Sequence, residues 1–296
     1  MLFATATLAR RIEDAESTLI AHFGRSARPR AGELPVVVTS IGGGTAVIAR
    51  PGAPFNKIAG LGFAPIDEAA LAEIEREFER RKMPVRVELA SLGDPAIGSL
   101  LTRRGYALSG FENVLGLAVQ EEEFAAADVT TEADSAHATV AASADQGIGA
   151  VSVRRCAPEE ASQWLHVVGE GFAHPDTFDG PAPSEVFDRS EIDRALEDTR
   201  DVEEVVRYLA TRSGQLAGGG AMRCWKGVAQ LCGAATLPAH RRHGVQTALL
   251  RERLADAGRD GCDVAVVTTE PGSRSQENVQ RQGFALLYTR AVLIKS

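Results

Sequence analysis

The chain has 296 residues, enough for two domains of ordinary size or one large one. Hydrophobic residues make up 44% and charged residues 24%, the balance of a globular protein, and no window approaches the roughly 18 apolar residues that a membrane span needs. A net charge of −8 argues against general nucleic-acid binding. The start, Met1-Leu2-Phe3-Ala4 followed by Arg10-Arg11, lacks the apolar core of a signal peptide. The four cysteines (Cys156, Cys224, Cys232, Cys262) form no Cys-x-x-Cys pair and read as reduced thiols, so the expected compartment is the cytoplasm.

The predicted elements begin with a hairpin, 35–40 and 45–49, around Gly42-Gly43-Gly44. A helix follows over 67–81, with Leu71, Ile74 and Phe78 on one stripe. After a strand near 85–90, Asp94 caps a helix that has Pro95 at its first position. The stretch 120–149 is rich in Ala, Asp, Ser and Thr, can bury little, and reads as a linker. Beyond it come a strand at 151–154, a helix at 158–172, and strands at 205–211 and 218–225 that pair across Ser213-Gly214. Gly218-Gly219-Gly220 inside a strand marks a bulge or a close backbone approach. A strand at 227–237 then leads to a helix over about 245–257 and a strand at 263–269. Ser273 with Gln276 forms a capping box for the last helix, and 285–294 is the final strand.

Two parts of this order repeat. Arg103-Arg104-Gly105-Tyr106-Ala107-Leu108 lines up with Arg281-Gln282-Gly283-Phe284-Ala285-Leu286 at an offset of 178 residues, and the same offset pairs Ala70-Leu71 with Ala248-Leu249. A register held across helix, strand, helix and strand indicates a duplicated unit, although αβαβ units also resemble one another by periodicity alone.

The most telling stretch is Arg241-Arg242-His243-Gly244-Val245-Gln246, between an apolar strand and a helix start. There the free backbone N–H groups, the helix dipole and two guanidinium groups could cradle a pyrophosphate. Preceded by Leu237-Pro238, this Arg-x-x-Gly-x-Gln pattern resembles the Arg/Gln-x-x-Gly-x-Gly/Ala signature of the GNAT acetyltransferase superfamily, except that Gln246 stands where Gly or Ala is usual. The resemblance covers about 151–295, and more faintly 34–117. It implies an α/β fold with a mixed sheet in two tandem GNAT-like domains: 1–119 a degenerate copy, 120–149 the linker, and 150–296 the copy that binds acetyl-CoA. In the earlier copy the offset places Phe63-Ala64-Pro65-Ile66-Asp67-Glu68 opposite the cradle, with negative charge where phosphate would sit.

The cofactor contacts implied by the resemblance are Thr236, Leu237, Arg241, Arg242, His243, Gly244, Val245, Gln246 and Thr247, with Ser275, Asn278 and Arg281 on the last helix beside the pantetheine arm. The strand before the cradle would offer a backbone N–H to the thioester carbonyl. Direct attack by a primary amine then needs alignment, a base for the amine proton and an acid for the thiolate. The tyrosine acid found on the last helix in many family members is here Val279. Tyr288 is a substitute candidate, Glu270 and Glu170 are candidate bases, and His174 lies on the expected acceptor loop.

No His/Cys spacing suggests a metal, and neither a P-loop, a dinucleotide fingerprint nor a Gly-x-Ser-x-Gly elbow occurs. The expected function is acetyl transfer to the amine of a small molecule or peptide, with a non-catalytic acyl-CoA sensor as the alternative. Asp176, Asp179, Glu185 and Asp188 hint at a cationic acceptor.

Overall fold

A computed structural model describes residues 2–119, 150–175, 188–200 and 202–296. The expected linker 120–149 and the acidic Asp176, Asp179 and Glu185 lie outside the described residues. Two compact units emerge, and neither follows chain order. The first takes Met1–Gly116, Thr177–Val202 and Val266–Ser296; the second takes Leu117–Asp176 and Glu203–Ala265.

In the first unit α1 (Ala6–Ser26) is followed by β1 (Val37–Ile41), β2 (Gly44–Ile48), β3 (Lys57–Leu61), α2 (Glu68–Arg80), β4 (Val85–Ala90), α3 (Pro95–Arg103) and β5 (Ala107–Ala118). The α1 helix was not anticipated, yet its signals are present: Thr5 Oγ1 accepts from Leu8 N, and Ala9, Ile12, Ala15, Leu19 and Ile20 form one buried stripe. Asp94 caps α3 as expected, and Asp67, the first residue of the expected helix, caps α2. Leu71, Ile74 and Phe78 of α2 and Leu101 of α3 pack with Ile58, Val87 and Leu293 into one core.

The strand order in this unit is β1-β2-β3-β4-β11-β5, where β11 (Ala285–Lys295) is the final strand of the chain. β11 runs antiparallel to both neighbours, with Val292 opposite Glu88 of β4 and Gly110 of β5. By the 178-residue offset β11 is the counterpart of β5, so a strand from the later half lies between two strands of the earlier one. The repeated Gly-aromatic pair keeps its geometry in both places: Gly105 and Gly283 each have φ 91°, and Tyr106 and Phe284 are buried. The helix preceding β11, α7 (Arg274–Arg281), also belongs to this unit, as does α5 (Arg189–Asp198), whose Arg194 binds Glu33.

In the second unit the strand order is β9-β8-β7-β6, formed by β6 (Val151–Arg155), β7 (Val205–Arg212), β8 (Gln215–Trp225) and β9 (Val228–Thr236). Two helices, α4 (Ala161–Ala173) and α6 (Val245–Arg259), pack on this sheet, and β10 (Val264–Thr269) leaves the unit between Ala265 and Val266. Ser213 and Gly214 turn the β7–β8 hairpin with φ of 52° and 76°. The glycine triplet does what close approach demands. A Cβ on Gly218 would lie 2.8 Å from Val245 Cγ1 of α6, and one on Gly219 would lie 3.0 Å from Val168 Cγ2 of α4. Trp164 Nε1 donates to Gly220 O at 2.9 Å, which satisfies the only polar atom of that buried indole.

Candidate functional site

The cradle is assembled by a change of backbone handedness. After β9, Pro238–His240 make one 3-10 turn; Arg242 then takes φ 62° and Gly244 φ 79°, and α6 starts at Val245. A non-glycine residue in the left-handed region costs about 1–2 kcal/mol, so Arg242 holds local strain where the sequence predicts binding. The first hydrogen bond of α6 runs from Ala248 N to Gly244 O. The N–H groups of Val245, Gln246 and Thr247 therefore have no intrahelical acceptor, and the capping residue, Gly244, has no side chain to supply one. Fifteen aligned peptides place roughly half a positive charge at this end. Among the described residues, apart from its chain neighbours, none comes within 4 Å of where a Gly244 Cβ would be. Two buried atoms beside it, Thr236 Oγ1 and His240 Nδ1, have no hydrogen-bond partner among the described residues.

Arg241 has a different part from the expected one. Its guanidinium donates to Thr236 O at 3.3 Å and to His174 O, bracing the end of β9 against the end of α4. Arg242, His243 and Gly244 are exposed, Gln246 and Thr247 half-buried, and Val245 is fully buried as the apolar anchor of the helix start. Leu237 N donates to Ala217 O and so continues the sheet to the edge of the turn.

Sequence reasoning missed one backbone feature. Gly233 has φ 56° inside β9, and the β8–β9 register slips so that Gly219 faces Ala235 while Ala221 faces Cys232. One residue on β8 thus opposes two on β9, a bulge that turns backbone groups out of the ladder. A lone glycine in a strand otherwise rich in Ala and Val was the available signal.

The predicted residues of α7 belong to the first unit. Ser273 Oγ accepts from Gln276 N at 3.2 Å, but Gln276 Oε1 accepts from Gly272 N rather than closing the box on Ser273. Ser275 is exposed and Asn278 half-buried. Arg281 pairs with Glu277, which also holds Arg274, so its guanidinium is tied along its own helix.

The candidates for proton chemistry separate clearly. Val279 is buried, and the tyrosine offered in its stead is locked away: Tyr288 is 5% exposed and donates to Glu13 Oε1 at 2.6 Å. Burial and the neighbouring Glu13 push that phenol well above its ordinary range, so it is a poor acid for a thiolate. Tyr288 instead joins a buried ionic network of the first unit. Arg290 donates to Glu13 at 2.7 Å, Lys57 to Glu88 at 2.9 Å, and Arg86 to Glu112 at 2.8 Å. Burial alone would raise Glu88, yet the charges of Lys57, Arg290 and Arg86 hold it at about 2. Burial, reinforced by Glu88, pushes Glu112 up to about 7. Glu270 is half-buried at the end of β10. Glu170 sits on the last turn of α4, 3.2 Å from His174 Nδ1.

Residues 174–284 match the acetyltransferase (GNAT) family. The fold likeness extends over nearly the whole chain. A GCN5-related N-acetyltransferase from Kribbella flavida superposes with a TM-score of 0.58 at 16% identity, covering 97% of this chain and 95% of its own. A tandem GNAT protein from the clavulanic acid biosynthesis pathway does so with a TM-score of 0.55 at 13% identity, covering 96% and 95%. A functionally unknown conserved protein from Staphylococcus epidermidis gives 0.53 at 11% identity, covering 92% and 98%. No curated protein sequence matches this chain. The class of fold is therefore plain: the chain has the tandem acyl-CoA N-acyltransferase fold, and residues 174–284 carry the GNAT sequence pattern. Its sequence signature lies in the later half, where the cradle is. No metal-binding group of His, Cys, Asp and Glu occurs among the described residues, and no described helix is long and apolar enough to cross a membrane.

Proposed function

We propose that the protein is an N-acetyltransferase that moves an acetyl group from acetyl-CoA to the primary amine of a small molecule or peptide, by direct attack in a ternary complex. The observation that carries this reading is the start of α6: three unpaired N–H groups behind two left-handed residues, capped by no side chain, suit a diphosphate. Arg242, His243 and the main chain of 244–247 would hold the pyrophosphate; Thr236 and Leu237 would border the pantetheine. Ser275, Asn278 and Arg281 are proposed as further contacts. Acetyl-CoA supplies the activated thioester, and the bulge at Gly233 supplies free backbone groups beside it. The earlier copy is proposed to hold no cofactor, since the carboxylate of Asp67 already occupies the start of α2.

Calorimetric titration with acetyl-CoA and with CoA tests this directly, and no heat of binding from either would end it. A second reading, an acyl-CoA sensor without turnover, is favoured by the buried Val279 and the enclosed Tyr288. A sensor binds acetyl-CoA but releases no thiol with any amine of a broad panel.

A further inference from the structure

The end of α4 carries chemistry that the cradle does not use. His174 Nδ1 lies 3.0 Å from Glu170 O and 3.2 Å from Glu170 Oε1, one helical turn back. An imidazole whose Nδ1–H is held by a carboxylate and a carbonyl keeps its proton there and presents Nε2 as a bare lone pair. The same carboxylate stabilises the imidazolium once Nε2 has taken a proton.

The pair is placed beside the proposed site by packing. A Cβ on Gly171 would lie 2.5 Å from Ala235 Cβ and 3.5 Å from Thr236 N, so the last turn of α4 rests against the end of β9. Arg241 then binds both Thr236 O and His174 O, which ties the histidine backbone to the first residue of the cradle. The His174 side chain is 56% exposed and open to a ligand. Among the described residues, Glu170 of its own helix lies on the imidazole and Arg241 of the turn binds the His174 backbone.

We propose that His174, oriented by Glu170, is the proton acceptor of the transfer, taking a proton from the acceptor's ammonium group. This rests on the acetyltransferase reading above. The ammonium gives one proton to Nε2; the neutral amine attacks the thioester carbonyl, a C–N bond forms and the C–S bond breaks. The departing thiolate takes the second nitrogen proton, and the imidazolium returns the first to water. Glu170 is a positioning residue in this scheme.

The test uses the full chain with acetyl-CoA and a panel of spermidine, lysine, an aminoglycoside and a peptide with a free N-terminus. Thiol release is followed across the pH range in which imidazole titrates. His174→Asn keeps an amide N–H where Nδ1–H was and removes the base. It lowers kcat about 100-fold or more and abolishes the acid limb of the pH profile, while acetyl-CoA affinity by calorimetry stays unchanged. Glu170→Gln lowers kcat while KM for the amine and acetyl-CoA affinity stay unchanged, and raises the share of the Nε2–H tautomer at His174. Long-range proton–nitrogen correlation spectra show the Nδ1–H tautomer at His174. A His174→Asn protein with the parent kcat and pH profile, or a His174 protonated at Nε2 when neutral, overturns the proposal and leaves the acetyltransferase reading standing. A parent protein that binds acetyl-CoA but turns over no amine removes both.

Discussion

Two helices that occupy equivalent places in the repeat, α2 and α6, begin in opposite ways. At α2 the carboxylate of Asp67 accepts from Ala69 N at 2.9 Å and Ala70 N at 3.3 Å, with Glu68 following in the first turn. At α6 the cap is a left-handed glycine. An N-terminal helix dipole attracts negative charge; in the first unit the chain supplies it, and at α6 no capping side chain does. The contrast extends to side chains. The first unit satisfies buried charges with one another, through Glu13, Glu88, Glu112, Lys57, Arg86 and Arg290. The same backbone feature is thus filled from within in one unit and left open in the other.

The strongest way to break this contrast is to open the closed unit. Glu88→Gln removes the buried carboxylate that Lys57 and Arg86 share, with Glu16 still paired to Lys57 and Glu112 to Arg86, and should cost about 3–5 kcal/mol in denaturant unfolding of the first unit. A loss below about 1 kcal/mol would show that the network is not what holds this unit.

Closing the open unit comes next. Gly244→Val forces a β-branched residue to φ near 79° and should weaken acetyl-CoA binding at least about 100-fold by calorimetry, with the far-ultraviolet circular dichroism spectrum unchanged. Since no described residue apart from its chain neighbours lies within 4 Å of that Cβ, steric rejection by them would not explain the loss. An unchanged affinity would remove the backbone from the binding account.

A subtler contrast is in pH dependence. Glu112 is raised from an ordinary 4.5 to about 7, so between those values the folded unit binds more protons than the unfolded chain. Stability must therefore fall as pH rises through that window, by about 3 kcal/mol, and level off above it. Glu88, held at about 2, acts oppositely: its contribution is present above pH 4.5 and is lost as pH falls towards 2. Denaturation midpoints measured from pH 4 to 8 should decline for the parent protein and flatten for Glu112→Gln; the same decline in both would assign it elsewhere. The smallest effect expected is for Asp67→Ala, which removes a cap worth about 1 kcal/mol while leaving acetyl-CoA affinity alone.

Local features were legible in the sequence because local physics sets them. Asp94 and Ser273 cap helices, Ser213-Gly214 turns a hairpin, and the repeated Gly-aromatic pairs keep one geometry. The strand, turn and helix start around 236–247 could be read for the same reason, since they are contiguous. What escaped depends on partners far along the chain. Tyr288 looks like a free acid until Glu13, 275 residues away, closes on it. The alternation in 285–294 announces a strand but not its neighbours, and any strand with that pattern could sit beside β4. The part taken by Arg241 was hidden because its acceptors are carbonyls, which every residue carries. The α1 helix was overlooked because its buried stripe relies on alanine as much as on large residues.

The place of β11 bears on how the protein must be made. Strands β4 and β5, complete by residue 118, have no partner for their facing edges until Lys295 has left the ribosome. For most of translation the earlier half therefore carries two open strand edges flanking a gap one strand wide, the kind of surface that invites pairing with a neighbouring nascent chain. Truncations that remove 285–296 should thus cripple the portion synthesised first, and holdase chaperones should linger on this polypeptide until β11 emerges.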